Sequence, residues 1–167
     1  FADGALKKVT SPPAHTGAAA QTVQFTYTAT GDVAAVTDQL GNITSYGYDA
    51  WGNAVSTTDR LGNVVSRTFG ARDEVLTETR TGSNAAAAAA QHTVRYVYDG
   101  ENHLRYIVSA EGAVREYRYT SVGQLQYSID YPEHSYDVSA LAAATSLTEL
   151  QLNTWRDALA DRSSTKI

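Results

Sequence analysis

The sequence repeats itself with a period of 21 residues. An aromatic pair occurs as Tyr46 and Tyr48, and its first member has a counterpart 21 residues earlier in Phe25. Short Asp-x-x-Gly segments separate the alternating runs and recur every 10 or 11 residues. A fixed period of this length is typical of folds in which one supersecondary unit is stacked many times. The period therefore constrains the fold more strongly than the composition does.

Five copies of the unit are visible in the sequence. The five pairs of aromatic positions, one of which holds Arg instead, are Phe25 and Tyr27, Tyr46 and Tyr48, Arg67 and Phe69, Tyr96 and Tyr98, and Tyr117 and Tyr119. The expected turns end at Gly31, Gly41, Gly52, Gly62, Asp73, Ser83, Asn102, Gly112, Gly123 and Glu133. The third copy departs most from the pattern, because Arg67 replaces an aromatic residue and Arg80 replaces a turn aspartate.

The turn residues predict β-hairpins. An Asp at the first position of a type I turn accepts a hydrogen bond from the backbone two residues further on. The last position requires a positive φ, which Gly adopts without strain and which Asn and Asp tolerate better than other residues. A type I turn followed by a left-handed residue is a common hairpin connection. We therefore expect an all-β fold of tandem antiparallel hairpins, about 21 residues each, that form a long, curved repeat sheet.

The regions outside the regular repeats divide the chain further. We expect residues 1–21 to contain the end of an earlier repeat and a loop, and residues 22–136 to contain five hairpins with an alanine-rich insertion at 81–92. Residues 137–164 read as a helical insertion, and residues 165–167 as a candidate start of the next repeat. One amphipathic helix is predicted at about 147–160, where Ser146 and Glu149 fit a capping box. Its apolar stripe consists of Leu152, Trp155 and Leu159.

The Tyr-x-Tyr-Asp-x-x-Gly-Asn pattern of residues 46–53 resembles the YD repeats of the Rhs family. That family includes bacterial polymorphic toxins, the B and C components of insecticidal toxin complexes, and animal teneurins. The resemblance covers residues 25–130, and it implies that this chain is part of a hollow Rhs-type shell that encloses a toxic C-terminal segment. The residues that carry the motif, with a structural role, are Tyr27, Tyr46, Tyr48, Asp49, Gly52, Asn53, Asp59, Gly62, Asn63, Tyr96, Tyr98, Asp99, Tyr117, Tyr119 and Gly123.

The sequence contains few groupings that are suited to chemistry. The recurring turn aspartates could suggest calcium sites, but each turn offers about one carboxylate, whereas calcium takes six to eight oxygen ligands, so we favour turn capping. The four histidines, His15, His92, His103 and His134, share no metal-ligand spacing. The tyrosines could stack on sugars, although cross-strand packing accounts for them without a ligand. We therefore expect no catalytic residue, no metal and no cofactor.

Composition narrows the setting of the chain. The formal net charge is -5, which is mild, spread out and unlike a nucleic-acid-binding surface. No stretch is long and apolar enough to predict a membrane-spanning helix. The chain has no Cys, which fits a secreted bacterial protein, and it has no Met, so we expect a fragment of a longer protein. The expected location is secreted or on the bacterial cell surface.

Two functions of different classes follow from the sequence. The first is structural: a non-catalytic wall segment whose partners are the rest of its own shell and the enclosed toxin segment. The second is a cell-surface adhesion module that binds a glycan or a protein. In either case the open edges of the sheet are expected to favour self-association, with the apolar helix face buried.

Overall fold

The computed structural model describes residues 4–13, 15–17, 19–84, 86 and 90–164, with residues 160–164 described by their backbone only. Within these residues, eleven strands join in sequence order into one open antiparallel sheet, and one long helix follows them. The strands are β1 (Lys8–Ser11), β2 (Gln21–Tyr27), β3 (Val33–Thr37), β4 (Ile43–Tyr48), β5 (Ala54–Thr58), β6 (Val64–Phe69), β7 (Val75–Thr81), β8 (His92–Tyr98), β9 (Leu104–Val108), β10 (Ala113–Tyr119) and β11 (Leu125–Ser135), and the helix is α1 (Glu149–Ser164). The predicted all-β hairpin fold with one C-terminal helix is confirmed.

The chain divides into two compact units. The first comprises Phe1–Ser66 with Thr81–Ala90, and the second comprises Arg67–Arg80 with Gln91–Ile167. Strand β6 contributes residues to both. Each unit is described by itself below.

In the first unit, the aromatic positions of successive hairpins lie on one face of the sheet. Phe25 is paired with Val36, and Val36 is in turn paired with Thr44. Directly opposed residues point to the same face, and so do residues two apart in a strand. Thr44 and Tyr46 are two apart in β4, so Phe25 and Tyr46 share a face. The register expected from the repeat period is present here.

The second unit shows the same register and has the buried core. Tyr96 is paired with Ile107, and Ile107 is paired with Arg115, which lies two residues before Tyr117 in β10. Tyr96 and Tyr117 therefore share a face, which we call the tyrosine face of this unit. The opposite face is the core face, and its buried apolar strand residues are Val97, Tyr106, Val108 and Val114.

The core therefore lies on the face opposite the repeat aromatics. Leu147 and Leu152 bury their side chains in the same cluster, and Trp155 packs against it. Residues 137–159 therefore cover the core face, as expected for the stripe of α1. Leu150 is exposed, which agrees with its position off that stripe. No helix among the described residues is long and apolar enough to cross a membrane.

Helix α1 begins two residues later than predicted. The Thr148 hydroxyl accepts a hydrogen bond from the Gln151 backbone N–H at 3.3 Å, and the Gln151 side-chain oxygen accepts one from the Thr148 backbone N–H at 2.8 Å. These reciprocal bonds form a capping box. The predicted box of Ser146 and Glu149 was wrong, because Thr148 and Gln151 have the same spacing and occupy the observed helix start.

Three other expectations about local structure were wrong. Residues 8–11, expected in a loop, form β1 and pair with β2. Arg80, expected in a turn, lies in β7 opposite His92, because the insertion lengthens the loop and lets the two strands pair further; Ser83 has no positive φ. Glu133, expected to end a turn, lies within β11, which continues to Ser135 opposite Ala113. Residues 165–167 lie outside the described residues.

Candidate functional site

The recurring site is the turn, and its carboxylate organises the whole loop. Asp49 Oδ1 accepts hydrogen bonds from the backbone N–H groups of Trp51 and Asn53, both at 2.9 Å. The Asn53 side-chain amide donates to Asp49 Oδ2 at 3.1 Å. The Gly52 N–H donates to the Asp49 carbonyl at 3.2 Å, which closes the turn. One carboxylate therefore satisfies three donors of its own loop.

The same arrangement recurs in the first unit in the turns at the opposite ends of the strands. Asp59 accepts from the backbone N–H groups of Leu61 and Asn63 and from the Asn63 amide, at 2.7 to 2.9 Å. Asp38 makes the equivalent bonds with Leu40 and Asn42. The Asn that follows the turn Gly is thus a working part of the motif.

Other copies keep the geometry with different residues. Ser109 and Thr120 accept the closing backbone bonds through their hydroxyls. In the third copy Gly70 stands at the Asp position, and the Glu74 carboxylate accepts the Arg72 N–H at 2.8 Å. A Cβ on Gly70 would contact that carboxylate. Glu74 therefore supplies from the end of the turn the group that Asp supplies from its start.

The left-handed positions match the sequence pattern. The turn glycines with positive φ are Gly31, Gly41, Gly52, Gly62, Gly112 and Gly123. Asp73 has φ 60° and Asn102 has φ 68°, and they are the only non-Gly residues of the described chain with positive φ. Asn and Asp are the residues that best replace Gly there, as predicted.

These hydrogen bonds leave the turn carboxylates poorly suited to acid–base chemistry. The Asn42 amide holds the pKa of the Asp38 carboxyl below its ordinary value, and the Asn63 amide does the same for Asp59. A carboxylate with a lowered pKa is a weak base. Among the described residues, no three metal-ligating side chains of His, Asp or Glu come together. In the described turns, the carboxylate oxygens of Asp38 and Asp59 therefore bind donors of their own turn and are not grouped with other metal-ligating side chains.

In three of the pairs the second residue is a Tyr whose hydroxyl bonds to the chain that precedes its hairpin. The Tyr48 hydroxyl donates to the Val33 carbonyl at 3.0 Å, and the Tyr119 hydroxyl donates to the Leu104 carbonyl at 3.0 Å. Each acceptor is the first residue of a strand in the preceding hairpin. Tyr27 makes the corresponding bond to the Leu6 carbonyl at 2.7 Å. The hydroxyl therefore explains why this position holds Tyr.

A bulge accompanies each of these tyrosines. The register shifts by one residue just before Tyr27, Tyr48, Tyr98 and Tyr119, where the partner strand contains an extra residue. A bulge locally increases the twist of a strand pair. Tyr46, Tyr96 and Tyr117 precede the bulges in regular pairing. The repeat unit is thus a hairpin with a turn and a bulge at defined positions.

The histidines remain separate from one another. His103 occupies the position that Asn holds in other turns, with its Nδ1 3.2 Å from Asp99 Oδ2, and its ring stacks on Tyr119 at 4.7 Å. His92 Nδ1 lies 3.7 Å from Glu111, and His15 Nδ1 lies 3.1 Å from the Thr16 carbonyl. None of these contacts joins two histidines.

Sequence reasoning missed a buried ionic cluster beneath α1. Glu116 is fully buried on the core face of β10. Its Oε2 accepts a hydrogen bond from the Tyr131 hydroxyl at 2.6 Å, and its Oε1 accepts one from Arg156 of α1 at 3.1 Å. Arg105 and Arg118 also lie within ion-pair distance of its carboxylate, although Arg118 Nε lacks the alignment of a hydrogen bond. We call these five residues the Glu116 cluster.

The cluster joins the helix to the sheet through further bonds. Tyr106 donates its hydroxyl to Asn153 Oδ1 at 2.6 Å, and Arg105 donates to Glu149 at 3.0 Å. Burial and the charge of Glu116 raise the pKa of Tyr106 to about 12. Burial by itself would raise the pKa of Glu116, but the Tyr131 bond and the charges of Arg118 and Arg156 outweigh it and lower the pKa. Glu116 therefore remains ionised inside the core.

A second buried charge holds the segment before α1. Arg95, on the core face of β8, donates to the carbonyls of Thr145 at 2.9 Å and Ala142 at 3.1 Å. Burial lowers the pKa of Arg95. The alternation of side chains along a strand could have identified both residues. Glu116 is two residues after Val114 and Arg95 is two residues before Val97, so each lies on the core face.

The fold and turns define a tandem β-hairpin repeat, and comparison with known proteins gives its type. The family model described as RHS Repeat matches residues 27–64. The predicted resemblance to Rhs repeats is thus confirmed for that stretch. No curated protein matches the chain.

Solved structures share the fold at low sequence identity. The crystal structure of TcdB2-TccC3 has a TM-score of 0.53 and 22% identity, covering 67% of this chain and 6% of that one. The crystal structure of TcdB2-TccC3-TEV has a TM-score of 0.52 and 22% identity, covering 66% of this chain and 5% of that one. The chain therefore spans only about a twentieth of the length of these relatives, and the likeness concerns the fold.

Proposed function

We propose that this chain is a non-catalytic structural segment of a large secreted Rhs-type protein, and that it forms wall of a β-sheet shell around a toxic C-terminal segment. The observation that carries the proposal is that the recurring residues are engaged inside the sheet itself. Asp49 and Asp59 bind donors of their own turns, and the Tyr48 hydroxyl binds the preceding hairpin. The RHS repeat match and the shared fold support a structural role.

A wall role also follows from the stability of hairpins. A two-stranded hairpin is marginal alone, so neighbouring hairpins must share one sheet to persist. The bond from Tyr119 to the Leu104 carbonyl is a device for this purpose, since it joins adjacent hairpins. The hydroxyls of the linking tyrosines and the carboxylates of the turn aspartates are thus already hydrogen-bonded within the sheet. The partners of the segment are then the rest of its shell and the enclosed segment, with no role for nucleic acid.

The test uses the full-length protein that contains this chain. If the repeats enclose a C-terminal segment, that segment resists limited proteolysis in the native protein. The double variant Gly52→Val and Gly62→Val strains two turns at positive φ and makes the segment cleavable at a lower temperature. The matched control is Gly100→Val, because Gly100 has no positive φ and open space around its Cα. Equal cleavage of wild-type and variant protein would contradict enclosure.

A second candidate function is adhesion through the turns. Trp51 is 84% exposed and Leu40 is 79% exposed, and both occupy the residue before a turn Gly. Exposed aromatic side chains are common anchors in binding surfaces. A glycan array probed with the wild-type chain and with Trp51→Ala tests this function. Binding that disappears in the variant would establish the adhesin, whereas the wall proposal predicts no binding in either protein.

A further inference from the structure

The first unit has one sheet face that is lined mostly by small side chains. This face lies opposite the repeat aromatics, because Thr26 and Ala35 pair beside the pair of Phe25 and Val36. Strands β2–β5 contain no Asp, Glu, Lys or Arg. In the middle of these strands the face consists of Thr26, Ala35, Thr37, Ser45, Gly47, Ser56 and Thr58, which we call the small-residue face.

The hydroxyls of the small-residue face are not used within the sheet. Ser45, Ser56 and Thr58 make no side-chain hydrogen bond to any described residue. The Tyr48 hydroxyl and the Asp49 carboxylate, in contrast, are bonded inside the sheet. A Ser or Thr hydroxyl can donate one hydrogen bond and accept two. The small-residue face can therefore bond to the backbone of a second polypeptide segment.

Small side chains also allow such a segment to come close. A Cβ on Gly47 would clash with the Ser56 hydroxyl, so the register of β4 and β5 requires Gly at this position. Gly inside a strand often marks a site where another backbone approaches closely. The face thus combines a low profile with unpartnered hydroxyls.

The second unit shows an equivalent position beneath a polypeptide segment. Thr77 occupies the position of Ser56 one repeat later, and it is only 1% exposed. Arg95, which is paired with Thr77 across β7 and β8, donates to the carbonyls of Ala142 and Thr145. A small hydroxyl residue at this repeat position is therefore buried where a segment from outside the repeats lies over the sheet.

The covering stretch of the second unit has a distinctive composition. Residues 138–146 read Val-Ser-Ala-Leu-Ala-Ala-Ala-Thr-Ser, contain no charged residue and form neither helix nor strand. Their small side chains suit a close approach to small side chains on the sheet. The kind of segment that fits this face is thus present in the chain itself.

We propose that the small-residue face is the surface that contacts the C-terminal segment enclosed by the shell, and that it takes uncharged, small-residue stretches without regular secondary structure. This inference rests on the proposed wall function and names the face that is turned toward the enclosed segment. The unpartnered hydroxyls of Ser45 and Ser56 bond to the backbone of that segment, which carries a donor and an acceptor at nearly every residue. The aromatic face of the same hairpins is turned away from it.

The test is photo-crosslinking in the full-length protein. A diazirine amino acid is incorporated at position 56, or at position 57 as the matched control. Ser56 and Thr57 are neighbours in β5, are both half-buried and point to opposite faces. Position 56 is expected to crosslink to uncharged stretches of the C-terminal segment, and position 57 is not. Ser45 and Thr44 in β4 repeat the comparison, with the crosslink expected from position 45.

Limited proteolysis of the same preparations separates this proposal from the enclosure on which it rests. A protease-resistant C-terminal segment that crosslinks from positions 44 and 57, or from none of the four positions, would leave enclosure standing and overturn the assignment of the face. Crosslinks from position 56 to charged stretches would overturn the chemistry assigned to the segment. A C-terminal segment open to protease would contradict enclosure itself, and the proposal would fall with it.

Discussion

At the scale of single residues, the turn carboxylate links three positions of the motif. Asp49 accepts donors from the backbone and from Asn53, and Gly52 provides the positive φ that brings these donors inward. The sequence predicted the roles of Asp and Gly from turn chemistry alone. The role of Asn53 was not predicted, because its amide meets the carboxylate only after the loop has closed. The recurrence of Asn at positions 42, 53 and 63 was the available indication.

Gly52→Ala should destabilise the protein by about 1–2 kcal/mol, because a side chain at positive φ is strained. Gly52 has φ 90°, and no atom lies within 4 Å of the position of an added Cβ. Gly100 is equally open but lacks a positive φ, so Gly100→Ala should be neutral or slightly stabilising. Urea unfolding of both variants measures the difference. Equal free energies of unfolding would show that backbone conformation does not select Gly52.

Acid should weaken the turns over a defined pH range. The pKa of Asp38 and of Asp59 is lowered in the folded protein by the bonds from Asn42 and Asn63. Their contribution is therefore present above the unfolded pKa of about 3.9 and is lost as the pH falls through the lower folded value. The Tm should change little between about pH 7 and pH 5 and fall below about pH 4.

The control for this pH dependence is Asp38→Asn combined with Asp59→Asn. The double variant should have a lower Tm at neutral pH and a smaller fall in acid, because two of the titrating carboxyls are gone. Glu116, whose pKa is also lowered, leaves a residual fall. Parallel curves of Tm against pH for variant and wild type would contradict the assignment.

At the scale of elements, hairpins are joined through their tyrosines. Tyr48→Phe should cost about 1 kcal/mol, the usual net value of a hydrogen bond, because it removes the bond to the Val33 carbonyl at 3.0 Å. Tyr46→Phe is the matched control, since Tyr46 lies on the same strand and has no hydroxyl partner among the described residues. Thermal unfolding should rank Tyr48→Phe below Tyr46→Phe. The reverse order would refute the linking role of the second aromatic residue.

Element boundaries show what periodicity determines. Strand β6 (Val64–Phe69) lies between the expected turns that end at Gly62 and Asp73, because alternation and turn residues both define it. Strand β1 was missed, since Pro12 and Pro13 suggested a loop and its four residues are all exposed. The start of α1 was misplaced, because two overlapping capping boxes are present in the sequence and only packing of Leu147 and Leu152 decides between them.

At the scale of the whole molecule, the repeat predicts the sheet but not the position of its core. The repeated tyrosines mark one face of the sheet, whereas the buried side chains of the second unit lie mostly on the opposite face. The helix that covers the core face belongs to a segment outside the repeats, so the repeat period cannot predict where the helix packs on the sheet. Long-range contacts such as that between Arg156 and Glu116, 40 residues apart, have no local sequence pattern.

Glu116→Gln should destabilise the protein by about 3 kcal/mol, because it removes the one buried carboxylate that three partly buried arginines share. Glu116 is fully buried, whereas Glu133 is exposed and provides the matched control Glu133→Gln. Chemical denaturation should show a large loss for the first variant and almost none for the second. A loss below about 1 kcal/mol for Glu116→Gln would mean that apolar contacts alone hold α1 in place.

The central claim is that the recurring tyrosine and turn residues serve the sheet and bind no ligand. Its most direct test is a glycan array probed with the wild-type chain, with every positive spot followed by titration calorimetry. The wall account predicts no glycan with a Kd below about 1 mM. A single glycan bound with a Kd of about 1 μM by a strictly monomeric chain would contradict it and establish an adhesin.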